Sequence, residues 1–205
     1  MEVNIEQGPL SGLATVLQEK LSAGLASVVR QPVQLNLGHL GQVPLSEISK
    51  IIGVASLASI YIPLVGDIVG DIFLFVSASE AAILVDLMMG NASGTTTTLG
   101  EFEASALKEL GNISSGVIIS EMANRLHLSI MLTVPNYTDD YAGAVIDQVI
   151  ISYAETGSDA YAIHLPFTVE GHVVSGFFLI LFDKPGLDTI LSKIQATPEE
   201  VPSGK

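Results

Sequence analysis

An uncharged run of small and polar residues, Gly90-Asn-Ala-Ser-Gly-Thr-Thr-Thr-Thr-Leu-Gly100, divides the 205-residue chain near its middle, and the segments on either side read alike. Such a run marks a loop or linker. Before it, Leu10, Leu13, Ala14, Leu17, Leu21, Leu25, Val28 and Val29 recur at helical spacing, Pro32 stops the helix, and Val33, Leu35 and Leu37 alternate as a half-buried strand. After it, Thr98 with Glu101 offers a capping box, and a helical pattern runs to about His127. Leu128, Ile130, Leu132 and Val134 then alternate before Pro135.

Later segments match as well. Ile60-Tyr-Ile-Pro63 parallels Ile163-His-Leu-Pro166. Each precedes a glycine-bearing turn and an apolar strand, Ile72-Phe-Leu-Phe-Val76 and Phe177-Phe-Leu-Ile-Leu181. Short helices follow at Ser79–Met89 and Gly186–Ile194. The expected fold is α/β (α+β), with two pseudo-symmetric helix–strands–helix repeats sharing a mixed β-sheet flanked by helices. Each repeat alone would leave an apolar face uncovered. The boundaries are repeat 1 at about 10–90, a linker at 91–99, repeat 2 at about 100–195 and a frayed tail at 196–205, all within one domain.

Composition narrows the function. Eight Lys and Arg stand against 22 Asp and Glu, a net charge of −14, which argues against binding nucleic-acid phosphates or anionic membranes. No Cys is present, which removes disulfides, zinc–thiolate sites and thiol catalysis. The longest strongly apolar uncharged run, Ile51–Gly66, contains Pro63 and is shorter than the ~20 residues a spanning helix needs. The start, MEVNIEQGPL, has no basic, apolar signal pattern, and a cytoplasmic location is expected. The four His fit no metal-binding spacing, neither G-x-G-x-x-G nor a P-loop is present, and Asp139-Asp140 reads as solvated loop acids.

The helix after the linker carries the candidate chemistry. At about 100° per residue, Ser105, Glu109, Asn112 and Gly116 fall within a stripe roughly 60° wide. Phe102, Ala106, Leu110, Ile113 and Val117 occupy the neighbouring arc, the expected core face. Glu109 and Asn112, three apart, place their Cβ atoms about 5–6 Å from each other, within reach of one small target. Gly111, Gly116 and Asn112 are all poor helix formers, and close approach of another surface would account for them. Glu121-Met-Ala-Asn124 repeats the E-x-x-N spacing, so spacing alone does not single out the first pair.

Ser105-x-x-x-Glu109-x-x-Asn112, within Glu-Phe-Glu-Ala-Ser-Ala-Leu-Lys-Glu-Leu-Gly-Asn-Ile, resembles the signature helix of the CheC/CheX/FliY family, chemotaxis phosphatases acting on phosphorylated CheY. Tyr61-Ile-Pro-Leu-Val-Gly-Asp-Ile-Val-Gly-Asp-Ile-Phe-Leu-Phe75 and the helix ending Asp86-Leu-Met-Met-Gly90 are similar to CheC, so the likeness runs over roughly residues 10–195. The resemblance implies an aspartyl-phosphate hydrolase. Asn112 would position the water, Glu109 would pair with a receiver lysine, and Ser105 would support them. It implies no cofactor of the chain's own, with Mg2+ and the phosphorylated Asp supplied by the receiver. Aligned on the first helix, the motif meets Glu19 and Ser22, without an Asn, so no function is carried to repeat 1. The alternative is a non-catalytic chemotaxis or flagellar-switch adaptor binding phosphorylated CheY or CheD.

Overall fold

The computed structural model describes residues 10–52, 57–139, 142–155, 157 and 159–196. The expected tail and Asp140 lie outside these residues. The first half runs α1 (Leu10–Val29), β1 (Val33–Leu35), β2 (His39–Pro44), α2 (Leu45–Ile52), β3 (Leu57–Gly66), β4 (Gly70–Ser77) and α3 (Ala78–Met89). The second repeats that order with α4 (Glu101–Leu126), β5 (Ile130–Leu132), β6 (Asn136–Thr138), α5 (Ala142–Ala154), β7 (Asp159–Val169), β8 (Ser175–Phe182) and α6 (Lys184–Ala196). Each repeat therefore contains an internal helix, α2 or α5, that the sequence reading did not place. Leu45, Ile48, Ile51 and Ile52 of α2 are buried at helical spacing, as are Ile146, Val149 and Tyr153 of α5.

The sheet has the order β1-β7-β8-β4-β3-β5, with β2 also on β7 and β6 also on β3. Every pairing is antiparallel, so the mixed pairing expected from sequence does not occur among the described strands. The repeats exchange strands. β1 and β2 of the first pair with β7 of the second, β5 and β6 of the second pair with β3 of the first, and β4 meets β8 at the centre.

The matched prolines have a shared role. Pro63 and Pro166 each sit where the facing edge strand jogs between its two segments, and their carbonyls accept from Thr133 N (3.0 Å) and Asn36 N (2.8 Å). Proline has no N–H to offer that edge, so the ladder breaks there.

Both faces of the central strands are covered, which explains runs as apolar as Ile72-Phe-Leu-Phe-Val76. Ile72, Leu74 and Val76 join the core beneath α1, α3, α4 and α6. Phe73 and Phe75 join a second core with α2 and α5. An aromatic ladder crosses that second face. Tyr61 stacks on Phe73 (centroids 4.9 Å), Phe75 packs on Phe177 (5.0 Å), and His164 meets Phe177 edge-on (4.9 Å). Burial, then the neighbouring His39, push His164 down to about 4, so it stays neutral at physiological pH. On the same side Tyr153 Oη donates to Asp71 Oδ2 at 2.7 Å, and burial holds the Asp71 carboxyl above its ordinary range. Among the described residues, no helix is long and apolar enough to cross a membrane.

The loop between the repeats is tied down. The Asp86 side chain, 0% exposed, accepts from Gly94 N (2.8 Å) and Thr95 N (2.9 Å) on Oδ2, and from Thr96 N (3.0 Å) and Thr96 Oγ1 (2.7 Å) on Oδ1. Burial pushes this carboxyl up, but the Thr96 hydroxyl and the three backbone N–H groups pull it further down, to a net position below the ordinary carboxylate range. The segment that reads as a loop or linker is thus a structured loop organised around one buried anion.

Candidate functional site

The start of α4 follows from that loop. Its N-cap is Gly100, whose N–H donates to Glu103 Oε2 at 2.9 Å, while Ala104 N reaches Gly100 O at 2.9 Å. The expected Thr98/Glu101 box does not form: Gly100, in the extended cap conformation (φ −99°, ψ −164°), is the N-cap and has no side chain, so only the return bond from Glu103 is made. Glu101 and Glu103 lie in the first turn, where the helix dipole favours carboxylates. The helix ends at His127, in the left-handed region at φ 50°.

The buried face of α4 is Leu107, Leu110, Gly111, Ser114, Ile118, Met122 and Leu126, with Ala106, Ser115 and Ile119 beside it. Gly111 decides this orientation. A Cβ there would lie 2.6 Å from Ile60 Cγ2 and 3.2 Å from Ile60 Cβ, so the helix backbone sits directly on β3. The arc expected to be core is thereby split. Ala106 and Leu110 are buried, Val117 is half-buried with its Cγ2 3.0 Å from where a Cβ on Gly24 would stand, and Phe102 and Ile113 face outward, 63% and 37% exposed.

Ser105, Glu109 and Asn112 are all exposed on the outward face. None of the three side chains makes a hydrogen bond or ion pair with the other described residues. The competing pair is distinguished by its contacts. Glu121 is half-buried and bonded to Arg125 Nε at 2.5 Å, so its carboxylate is already engaged along its own helix.

The two unusual glycines have different causes. Gly111 answers the close approach of β3, whereas a Cβ on Gly116 would meet nothing within 4 Å. Gly111→Ala is expected to destabilise the fold by about 1–2 kcal/mol, overpacking against Ile60 outweighing the helix-propensity gain. Gly116→Ala should stabilise it by about 0.5–1 kcal/mol. Urea midpoints of the two variants check this, and a stabilised Gly111→Ala would contradict the packing.

The structure also corrects the match between the repeats. Arg30 and His127, 97 positions apart, are both left-handed residues closing the long helices, at φ 58° and 50°. At that spacing all seven buried α1 positions, Leu10 to Val29, fall on the buried α4 positions Leu107 to Leu126. Glu109 and Asn112 therefore correspond to Gly12 and Thr15, not to Glu19 and Ser22. Gly12 and Thr15 supply neither a carboxylate nor an amide, so the first repeat still lacks the pair, for a different reason.

Residues 102–137, which begin on this helix and contain Ser105, Glu109 and Asn112, match the sequence model of the CheC-like family. Over this segment the chain is similar to the CheC-like family. The Bacillus subtilis (strain 168) protein named CheY-P phosphatase CheC is 24% identical over 155 residues, 74% of each chain. The fold agrees. FliY of Thermotoga maritima superposes with a TM-score of 0.71 at 14% identity, over 92% of this chain and 95% of the chain in that structure. The FliM middle domain of H. pylori gives 0.64 at 13% identity, over 90% and 95%. The helix face bearing Glu109 and Asn112 is thus part of the segment that carries the CheC-like signature.

Proposed function

We propose that this chain is a chemotaxis protein that accelerates hydrolysis of the aspartyl phosphate on a CheY-type receiver. The observation that carries the reading is the pairing of Glu109 and Asn112. They are exposed, without internal partners, one turn apart on a helix whose far side is anchored to the sheet. The B. subtilis relative's name supports the choice of substrate.

The chemistry asks little of such a helper. Water attacks phosphorus in line, the bond from phosphorus to the aspartyl oxygen breaks, and phosphate leaves as the carboxylate is restored. Asn112 orients the water, since its carbonyl oxygen accepts from it and its NH2 group can donate to a phosphoryl oxygen. Glu109 accepts from a receiver lysine and fixes the docked register. Ser105, one turn before Glu109, supports the contact. The receiver supplies its phosphorylated Asp and Mg2+, which neutralises charge on the phosphoryl oxygens. The chain acts as one domain of two interlocked repeats with one such site.

The test is the decay of radiolabelled phosphorylated CheY-type receiver from the same organism, with and without the protein. Clear acceleration is expected. Glu109→Gln should slow it mainly by weakening docking, so that a higher protein concentration recovers much of the rate. Unchanged decay accompanied by binding would leave the adaptor reading, which the absence of the pair from the first repeat favours.

A further inference from the structure

Phe102 and Ile113 are the two large apolar side chains of α4 that the fold leaves exposed. They are eleven residues apart, about 16 Å along the axis at 1.5 Å per residue, and only about 20° apart around it. Glu109 lies between them on the same face, with Asn112 about 60° further round the helix. The face is otherwise acidic near its start, with Glu101 exposed and Glu103 half-exposed against one Lys108.

We propose that Phe102 and Ile113 are the two apolar anchors by which the phosphorylated receiver docks on α4, so that they set affinity and choice of receiver while Asn112 sets the rate of hydrolysis. This rests on the phosphatase reading of Glu109 and Asn112. The occupant follows from that continuity. A typical interface of about 800 Å² a side spans roughly 30 Å, so a receiver centred on Asn112 reaches Ile113 next to it and Phe102 about 15 Å away along the helix. Exposed aromatic and aliphatic side chains flanking a polar contact fit the anchors of a protein interface, where a few buried residues dominate and surrounding groups exclude water. Excluding water around Glu109 strengthens its pairing with a lysine. The acidic residues at the start of α4 further select a receiver surface with a cationic rim beside its apolar contact.

The test uses the full chain, with calorimetry against a beryllofluoride-activated CheY-type receiver for binding and phosphate release from the phosphorylated receiver for turnover. Phe102→Ser and Ile113→Ala should each raise the dissociation constant about tenfold or more, while the rate at saturating protein stays within about twofold. Circular dichroism should be unchanged in both, and the urea midpoint unchanged in Phe102→Ser and lowered slightly in Ile113→Ala, where part of the side chain is covered. Asn112→Ala should show the opposite split, with binding kept and turnover lost. If the wild type hydrolyses the phosphate and both anchor variants bind as tightly as it does, the anchor proposal falls and the phosphatase reading stands. If the wild type neither binds nor hydrolyses, both fall.

Discussion

Asn112→Ala is expected to return the decay of the phosphorylated receiver to its unassisted rate, a loss on the order of 10²-fold. The effect should be confined to turnover. Asn112 is exposed and bonds to no other described residue, and alanine is the better helix former, so the fold should be as stable or slightly more so. Binding to a beryllofluoride-activated receiver should change little, since the proposed anchoring contacts lie on Glu109 and its apolar flanks. Asn112→Asp provides a second comparison. It keeps an oxygen acceptor of the same size, loses the NH2 donors, and brings a negative charge toward a phosphoryl group, so it should be at least as impaired as alanine. Retained acceleration in both variants would remove Asn112 from the chemistry and leave the CheC-like fold without its proposed water-positioning group.

Asp86→Ala should cost about 3 kcal/mol of folding stability, read as a shift in urea midpoint at neutral pH. Three backbone N–H groups, of Gly94, Thr95 and Thr96, lose a charged acceptor, and the Thr96 hydroxyl loses its partner. Asp86→Asn keeps one acceptor but turns an NH2 group toward those donors, and should recover only part of the loss. The pH dependence has a fixed sign. The folded-state carboxyl lies below its ordinary value, so its contribution is complete above the unfolded value of about 4 and is lost as pH falls through the folded value. The gap between wild type and Asp86→Asn should therefore be flat at neutral pH and close in acid. His164 also withdraws stability as pH falls from about 6.5 toward 4, being held neutral in the fold, but it is present in both proteins and cancels in the difference. The loop matters beyond stability. It delivers Gly100 and Glu103 to the start of α4, so loosening it should also blur the placement of Phe102.

Much of this molecule follows from local patterns. The apolar periodicity of Leu10 to Val29 places α1, and the fully apolar stretches around Phe73 and Phe178 place the central strands. Helical geometry alone puts Ser105, Glu109 and Asn112 on one face, because the angle per residue is set by backbone hydrogen bonding and not by tertiary context. The short helices α2 and α5 carry the same kind of signal, in Leu45, Ile48 and Ile52 and in Ile146, Val149 and Tyr153, and a closer count of spacing would have found them.

Which side of a helix faces inward, and which strand pairs with which, are decided elsewhere. Phe102 and Ile113 read as core by hydrophobicity, yet Gly111 seats the backbone of α4 on Ile60 and rotates them into solvent, a contact between residues far apart in the chain. The counterparts of Glu109 and Asn112 emerge only when Arg30 and His127 are seen as the same left-handed cap. The exchange of β1 and β2 onto β7, and of β5 and β6 onto β3, leaves no mark in either half's own pattern. Periodicity reports that a strand has a buried face. Its partner is chosen by how the whole sheet satisfies its hydrogen bonds and closes both cores at once.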